Sequence, residues 1–161
     1  MIKEKAFTQL IQEHQGMLFK VTSLYTDTKE DQEDLFQETV FQLWKYFETF
    51  RNESKITTWM YRVAMNTAIT HLRKSKKRPN AVAVEHLVML KTENHDPVWE
   101  DRLRQLYQQL NKLNVLEKGI MLLLLEDKSY KEISEITGLA PSNVGTRISR
   151  IKKKLRENLV K

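Results

Sequence analysis

The chain has 161 residues, of which 30% are charged and none is cysteine, and its formal net charge at pH 7 is +6. This length holds one ordinary domain or two small ones, and the lack of cysteine excludes disulfides, thiol nucleophiles and cysteine-ligated zinc. The longest apolar run, residues 120–125, is far shorter than the ~20 residues of a membrane-spanning helix, and the N-terminus lacks the apolar stretch of a signal peptide. We therefore expect a cytoplasmic protein with no direct membrane insertion.

The charge alternates along the chain. Residues 1–55 carry a net −3, residues 56–80 a net +6, residues 81–128 a net −2 and residues 129–161 a net +5. Two separated basic segments indicate two faces for a polyanion such as DNA. The acidic first segment would repel DNA and suits a basic protein surface instead.

Three helices are predicted in the first half of the chain. Apolar residues recur at helical intervals over residues 7–25, 31–47 and 55–77. Thr28, three residues before Asp31, marks the start of the second helix, and Pro79 stops the third. Residues 80–97 have no sustained periodicity and are predicted to form a mostly flexible linker, with room for a short helix over residues 84–90.

The second half, residues 98–161, predicts four more helices. Trp99 lies in the first, and Asn114 would cap the second. Ser129 and Glu132 form a capping box that opens a short third helix, which Gly138 ends because glycine tolerates a positive φ. The predicted fold is therefore all-α, with small helical domains at residues 1–79 and 98–161 and a helix-turn-helix in the second.

The helix-turn-helix over residues 129–156 is the strongest functional signal. Val144, Ile148 and Ile151 would be buried in one stripe, so that a polar face projects at a width that fits the DNA major groove. That face consists of Asn143, Thr146, Arg147, Ser149 and Arg150. Lys152, Lys153 and Lys154 suit phosphate contacts. The alternative is a generic helical hairpin with a solvated basic face.

A second signal is the basic end of the third helix. Its cations are Arg73, Lys74, Lys76, Lys77 and Arg78. They follow Trp59, Tyr61 and Asn66, and cations beside aromatic and amide groups suit single-stranded or unstacked DNA. The alternative is that Trp59 is a core residue and the lysines are a solvated helix end; for Tyr61 and Asn66 both roles stay open.

The acidic run over residues 30–38 is the third signal. Clustered carboxylates could bind a metal, but no glutamate stands three residues before a histidine as di-iron bundles require. A glycine-rich phosphate loop, a Gly-x-Ser-x-Gly elbow and a His-Glu-x-x-His motif are also lacking. We interpret the acids as a protein-docking surface, with a merely solvated face as the alternative.

Taken together, these segments resemble the extracytoplasmic-function sigma factors, the minimal two-domain members of the primary bacterial sigma family. Residues 31–41 (DQEDLFQETVF) resemble the family's acidic helix that docks on the β′ clamp, and residues 56–66 (ITTWMYRVAMN) resemble its promoter-melting helix. Residues 129–138 (SYKEISEITG) and 143–155 (NVGTRISRIKKKL) resemble its C-terminal helix-turn-helix.

The resemblance implies a sigma factor that is not an enzyme, needs no cofactor or metal, and directs promoter-specific transcription initiation. Its partners would be core RNA polymerase, through the β′ clamp and the β flap, promoter DNA, and an anti-sigma factor. Polymerase-binding residues would be Asp31, Asp34, Leu35, Gln37 and Glu38. Residues that bind and melt the −10 element, partly by holding a flipped base, would be Phe50, Arg51, Asn52, Ser54, Lys55, Trp59, Tyr61, Arg62, Asn66, Arg73, Lys74, Lys77 and Arg78. Residues that bind the −35 element would be Tyr130, Lys131, Asn143, Thr146, Arg147, Ser149, Arg150, Lys152, Lys153 and Lys154.

Two positions depart from the family pattern. Thr70 stands where members often carry an aspartate, and Gly145 stands where they often carry a basic residue. Two other readings remain: a stand-alone helix-turn-helix regulator, which would leave the acidic run without a purpose, and an enzyme with a carboxylate metal site.

Overall fold

The computed structural model describes residues 2–75 and 97–160, and regular structure in these two stretches is entirely helical. The chain divides into two compact units, Met1–Pro79 and Asn80–Lys161. The predicted all-α fold with two helical domains is therefore confirmed. The predicted linker lies outside the described residues except for Pro97, at which the first helix of the second unit begins.

The N-terminal unit is built from three helices. Their bounds are α1 at Ile2–Leu24, α2 at Lys29–Tyr46 and α3 at Ile56–Ser75, with a short 3₁₀ turn at Phe47–Thr49 after α2. All three pack against one another. Their apolar stripes meet in a core whose fully buried side chains include Leu18, Leu24, Leu35, Leu43 and Met60.

Helix α2 begins where the sequence predicts. The hydroxyl of Thr28 accepts a hydrogen bond from the backbone N–H of Asp31 at 3.1 Å, which satisfies one of the free donors of the first turn. Inside the helix, the Gln32 amide donates to the Thr22 hydroxyl at 2.9 Å, so this buried polar side chain has a partner in α1.

Helix α1 starts five residues earlier than the apolar periodicity indicates. Residues 2–6 add no buried position, and Ile2 is 90% exposed. The Lys3 ammonium lies 2.6 Å from the Glu48 carboxylate and 4.3 Å from the centroid of the Trp44 ring, so a tertiary contact and good helix formers extend the helix.

The C-terminal unit contains four helices. Their bounds are α4 at Pro97–Leu110, α5 at Val115–Leu125, α6 at Tyr130–Thr137 and α7 at Pro141–Val160. Helix α7 contacts the other three. The predicted caps at Asn114 and Ser129 are confirmed, since each forms a capping box with the glutamate three residues later.

Two charged side chains are buried among the described residues of this unit, those of Glu117 and Lys118. Lys118 is 3% exposed, and its Nζ has no hydrogen-bond partner among the described residues. Burial lowers the pKa of Lys118, because the charged ammonium loses its hydration.

Candidate nucleic-acid and protein interfaces

The acidic surface of α2, defined here as Asp31, Asp34, Gln37 and Glu38, lies on the side of the helix that faces away from the core. Asp34 and Gln37 are exposed, whereas Asp31 and Glu38 are half-buried. The surface is polar and anionic, so it can bind a cationic protein patch through charge complementarity.

His71 of α3 lies at one side of this surface and contacts two of its carboxylates. Its Nε2 lies 2.8 Å from Oδ1 of Asp31, and its Nδ1 lies 3.7 Å from Oε2 of Glu38. The imidazole therefore joins α2 to α3 at the edge of the acidic surface. Only the packing of α3 against α2 brings residues 40 and 33 positions apart into contact, so no local pattern could have revealed the group.

Leu35 does not belong to this surface. It is fully buried, because it lies one turn from Gln32 and Thr39 on the stripe of α2 that packs into the core. Leu35 therefore has no exposed surface for a partner in this conformation, and its direct contact with polymerase stays a prediction. In its place the structure exposes Phe41, which is 60% exposed near the C-terminal side of the acidic residues and adds an apolar element that the sequence analysis missed.

A cavity of about 350 Å³ lies where the loop between α2 and α3 meets the first turns of α3. Its lining residues are Thr49, Phe50, Arg51, Glu53, Ser54, Trp59 and Arg62. The rings of Phe50 and Trp59 form the aromatic part, with centroids 5.2 Å apart. Asn52, at φ 58°, turns the loop, a conformation that asparagine tolerates better than most residues. The volume is in the range of small-ligand pockets, and aromatic rings beside two arginines suit a nucleobase with its phosphate.

The predicted −10 residues divide by exposure. Arg51, Asn52, Lys55, Asn66, Arg73 and Lys74 are exposed, and Phe50, Ser54 and Arg62 are half-buried. Lys77 and Arg78 lie outside the described residues. A second cavity, of about 400 Å³, lies between α2 and α3 and has Asn66, Thr70 and Lys74 on its α3 side.

Two aromatic residues of α3 are less accessible than a stacking role requires. Trp59 is 8% exposed and Tyr61 is 3% exposed. Tyr61 therefore has a core position in this conformation, and its contact with the −10 element stays a prediction. Trp59 contributes to the core and, through one edge, to the wall of the cavity below the loop.

The helix-turn-helix geometry of the C-terminal unit is that predicted. Gly138 ends α6 in the left-handed region, at φ 82°, and its N–H donates to the carbonyl oxygen of Ser134 at 2.8 Å. The Ser134 hydroxyl donates to the carbonyl oxygen of Leu139, which fixes the turn. The stripe of α7 that packs under this turn consists of Val144, Ile148, Ile151 and Leu155, each 6% exposed or less.

The opposite face of α7 carries the predicted DNA-reading residues. Asn143, Thr146, Ser149, Arg150, Lys152 and Lys153 are exposed, and Arg147 is half-buried. The Arg147 Nε donates to Oδ1 of Asn143 at 3.2 Å, so these two side chains are held one turn apart. Near the start of α6, Tyr130 is 44% exposed, and Lys131 is exposed as well.

Lys154 is placed differently from the two lysines before it. Its Nζ donates to Oε2 of Glu117 on α5 at 2.9 Å, and the Glu117 side chain is only 10% exposed. The other oxygen of Glu117 accepts from the Asn114 N–H at 3.2 Å as part of the capping box. In this structure the Lys154 ammonium joins α7 to α5, and its contact with a DNA phosphate stays a prediction.

Within residues 2–75 and 97–160, no three histidine or acidic side chains come together in a way that could hold a metal ion. Over the same stretches, no helix has both the length and the hydropathy to cross a bilayer.

Comparison with protein families gives a match in each unit. Residues 10–78 match the model described as Sigma-70 region 2, and residues 103–155 match the model described as Sigma-70, region 4. Among curated proteins, the chain is 30% identical to the RNA polymerase sigma factor SigV of Bacillus subtilis over 152 residues, covering 94% of this chain and 89% of that protein.

Two solved structures have the same fold. A complex of the sigma factor RpoE with the anti-sigma factor NepR, from Bartonella quintana, matches with a TM-score of 0.75 at 20% identity and covers 96% of this chain and 97% of that one. The structure of CnrH in complex with the cytosolic domain of CnrY matches with a TM-score of 0.68 at 20% identity and covers 97% of this chain and 88% of that one.

Proposed function

Since this chain belongs to the sigma-70 family of RNA polymerase sigma factors, in its extracytoplasmic-function branch, we propose how its residues divide the work of promoter-specific transcription initiation. Residues 1–79 bind polymerase and open the −10 element, and residues 98–161 bind the −35 element. The protein acts in the cytoplasm by binding, without a catalytic residue or cofactor of its own. The observation that carries the proposal is that one chain combines an outward acidic helix face with two basic surfaces, one in each unit.

The acidic surface of α2 binds the β′ clamp of core polymerase. Asp34 and Gln37 are the most accessible members, and their exposure supports a direct contact. Asp31 and Glu38 are already held by His71, so a polymerase cation has to share or displace that histidine. Phe41 provides the apolar group that such charged interfaces need near their centre.

The cavity beside the loop between α2 and α3 holds one base of the −10 element after it leaves the stack. Taking a base out of a duplex costs a few kcal/mol. The Phe50 ring can recover part of this cost by contact with the base, with Trp59 as part of the cavity wall, and Arg51 and Arg62 can hold the neighbouring phosphates. The exposed residues Asn66, Arg73 and Lys74 continue the DNA path along α3, together with Lys77 and Arg78 as a sequence-based proposal.

The exposed face of α7 enters the major groove of the −35 element. Arg150, Ser149 and Thr146 read base edges, while Lys152 and Lys153 contact phosphates. Lys131 lies at the start of α6, where the first helix of a helix-turn-helix crosses the DNA backbone. Tyr130, the first residue of α6, belongs to the same proposed −35 surface. The C-terminal unit also contacts the β flap of core polymerase in this proposal.

An anti-sigma factor is the proposed regulatory partner. Two solved structures of similar fold are complexes, RpoE with the anti-sigma factor NepR and CnrH with the cytosolic domain of CnrY. Recovery of such an inhibitor with the tagged protein from unstimulated cells is the expected result, and consistent failure to recover one would count against this part of the proposal.

Transcription with purified core polymerase tests the central proposal. The protein should support run-off transcripts from some promoters in a genomic pool, and Asp34→Lys should abolish both holoenzyme formation and transcription. Glu4→Lys on α1 is a matched control, because it makes the same charge change at an exposed site away from the acidic surface. Unimpaired assembly by the Asp34→Lys variant would refute the docking assignment.

The cavity has its own test. Phe50→Ala should leave holoenzyme formation intact and reduce promoter opening, followed by permanganate reactivity of unpaired thymines. Equal loss of polymerase binding and opening would show that Phe50 acts through folding of the unit instead.

A further inference from the structure

Helix α7 has no side chain at Gly145, and the ring of Tyr130 lies next to this position. A Cβ placed on Gly145 would lie 3.5 Å from Cε2 and 3.8 Å from Cδ2 of Tyr130, which is ordinary van der Waals contact. Tyr130 is the first residue of α6, so its side chain crosses from one helix of the helix-turn-helix to the other. The ring thus lies within van der Waals reach of position 145, where an alanine would fit but little space is left for a longer side chain.

The position of this ring relative to the DNA-reading face follows from helix geometry. Ser149 lies one turn after Gly145 on the same side of α7, and Thr146 is the next residue towards the fully exposed face. Both are exposed and both belong to the proposed −35 surface. The Tyr130 ring therefore borders the row of side chains that faces the bases.

The Tyr130 ring is accessible to a ligand. Tyr130 is 44% exposed, whereas the residues that hold α7 in the unit, such as Val144 and Ile148, are 1% exposed or less. The open part of the ring lies beside the polar side chains of the proposed −35 surface, where it can contact DNA bound to that surface. In the major groove, the apolar group that such a ring can contact is the C5-methyl of thymine.

We propose that Tyr130 is a specificity-determining residue, whose ring makes an apolar contact with a thymine methyl group at one base pair of the −35 element, and that Gly145 leaves the space for it. This inference rests on the proposed entry of α7 into the major groove. The contact comes from the ring, so the hydroxyl is not required. It adds selection for a T·A pair at a position that the polar side chains of α7 do not read.

The test uses holoenzyme and a set of promoters in which each −35 base pair is varied in turn. Tyr130→Ala should lose a preference for T·A at one position by about fourfold, the value expected for one buried methyl group, and Tyr130→Phe should retain it. Gly145→Ala should also retain it, because the added Cβ fits against the ring at 3.5 Å. Replacing that thymine by uracil should weaken wild-type binding by the same factor and leave Tyr130→Ala binding unchanged.

Arg150→Ala is the control that distinguishes failure of the Tyr130 contact from failure of the proposed entry of α7 into the major groove. If it changes preference at another −35 position while Tyr130→Ala changes none, this inference is overturned and the −35 role of α7 stands. If neither variant alters base preference, the assignment of α7 to the major groove fails as well. An equal loss by Tyr130→Ala on all −35 sequences, or an effect of uracil that persists in that variant, would overturn the methyl contact.

Discussion

Replacing Lys154 by methionine should destabilise the C-terminal unit without altering the salt dependence of promoter binding. The same replacement at Lys153 should weaken the salt dependence of promoter binding without altering the stability of the unit. The two lysines are neighbours, both are exposed, and methionine keeps most of the length of the side chain while removing the charge. They differ in one contact, since only Lys154 is placed 2.9 Å from the Glu117 carboxylate.

The size of each effect follows from the structure. The Glu117 side chain is 10% exposed and that of Lys154 is 56% exposed. An exposed ion pair contributes about 0.2–1 kcal/mol, whereas breaking a fully buried one costs about 3–5 kcal/mol. Solvent screens the lysine and the Asn114 N–H still holds the other carboxylate oxygen, so we expect Lys154→Met to cost about 1 kcal/mol. At Lys153, loss of one phosphate contact should reduce the slope of log K against log salt by about 0.9.

Two measurements separate these outcomes. Native-state hydrogen exchange of the full chain should show reduced protection of α5 and α7 amides in Lys154→Met and unchanged protection in Lys153→Met. Binding of holoenzyme to a labelled promoter between about 50 and 200 mM salt gives the slopes. The opposite result is that Lys154→Met lowers the slope of log K against log salt as much as Lys153→Met and leaves hydrogen exchange unaffected. That result would contradict a stabilising ion pair and show that Lys154 contacts a phosphate.

Three further predictions concern single positions. Leu35→Ala should lower the unfolding free energy of the N-terminal unit by about 2–5 kcal/mol in urea titrations, because the leucine is fully buried; a stable variant that fails to bind polymerase would show that Leu35 is a contact after all. Gly138→Ala should destabilise the C-terminal unit by about 1–2 kcal/mol, since its φ of 82° strains any residue with a Cβ, and an unchanged urea midpoint would contradict this. Burial lowers the pKa of Lys118 from its ordinary 10.5, so the unfolded chain binds more protons and the stability of the unit should rise as pH increases towards 10.5. Lys118→Met should remove that part of the pH dependence and raise the urea midpoint at neutral pH, and an identical pH profile in the variant would refute the explanation.

The residues assigned to polymerase docking on α2 show what sequence periodicity does not resolve, namely which neighbouring residues are buried and which are exposed. The apolar stripe of α2 and its acidic side are both visible in the sequence, yet the family-like segment contains Leu35 and Asp34 side by side. Adjacent residues on a helix point about 100° apart, so one enters the core and the other faces solvent. The same limit applies to Tyr61, which is aromatic and precedes the basic end of α3 in the sequence but packs inward.

Local signals in the sequence determined several helix ends and the buried face of α7. The capping boxes at Asn114 and Ser129, the left-handed stop at Gly138 and the stripe from Val144 to Leu155 depend on interactions within a few residues, and these are confirmed. Only the tertiary structure decided which charged side chains are paired within the protein and which are left accessible to a partner. His71 with Asp31, and Lys154 with Glu117, meet across helices that are distant in sequence, and such contacts depend on how the helices pack rather than on any pattern within one of them.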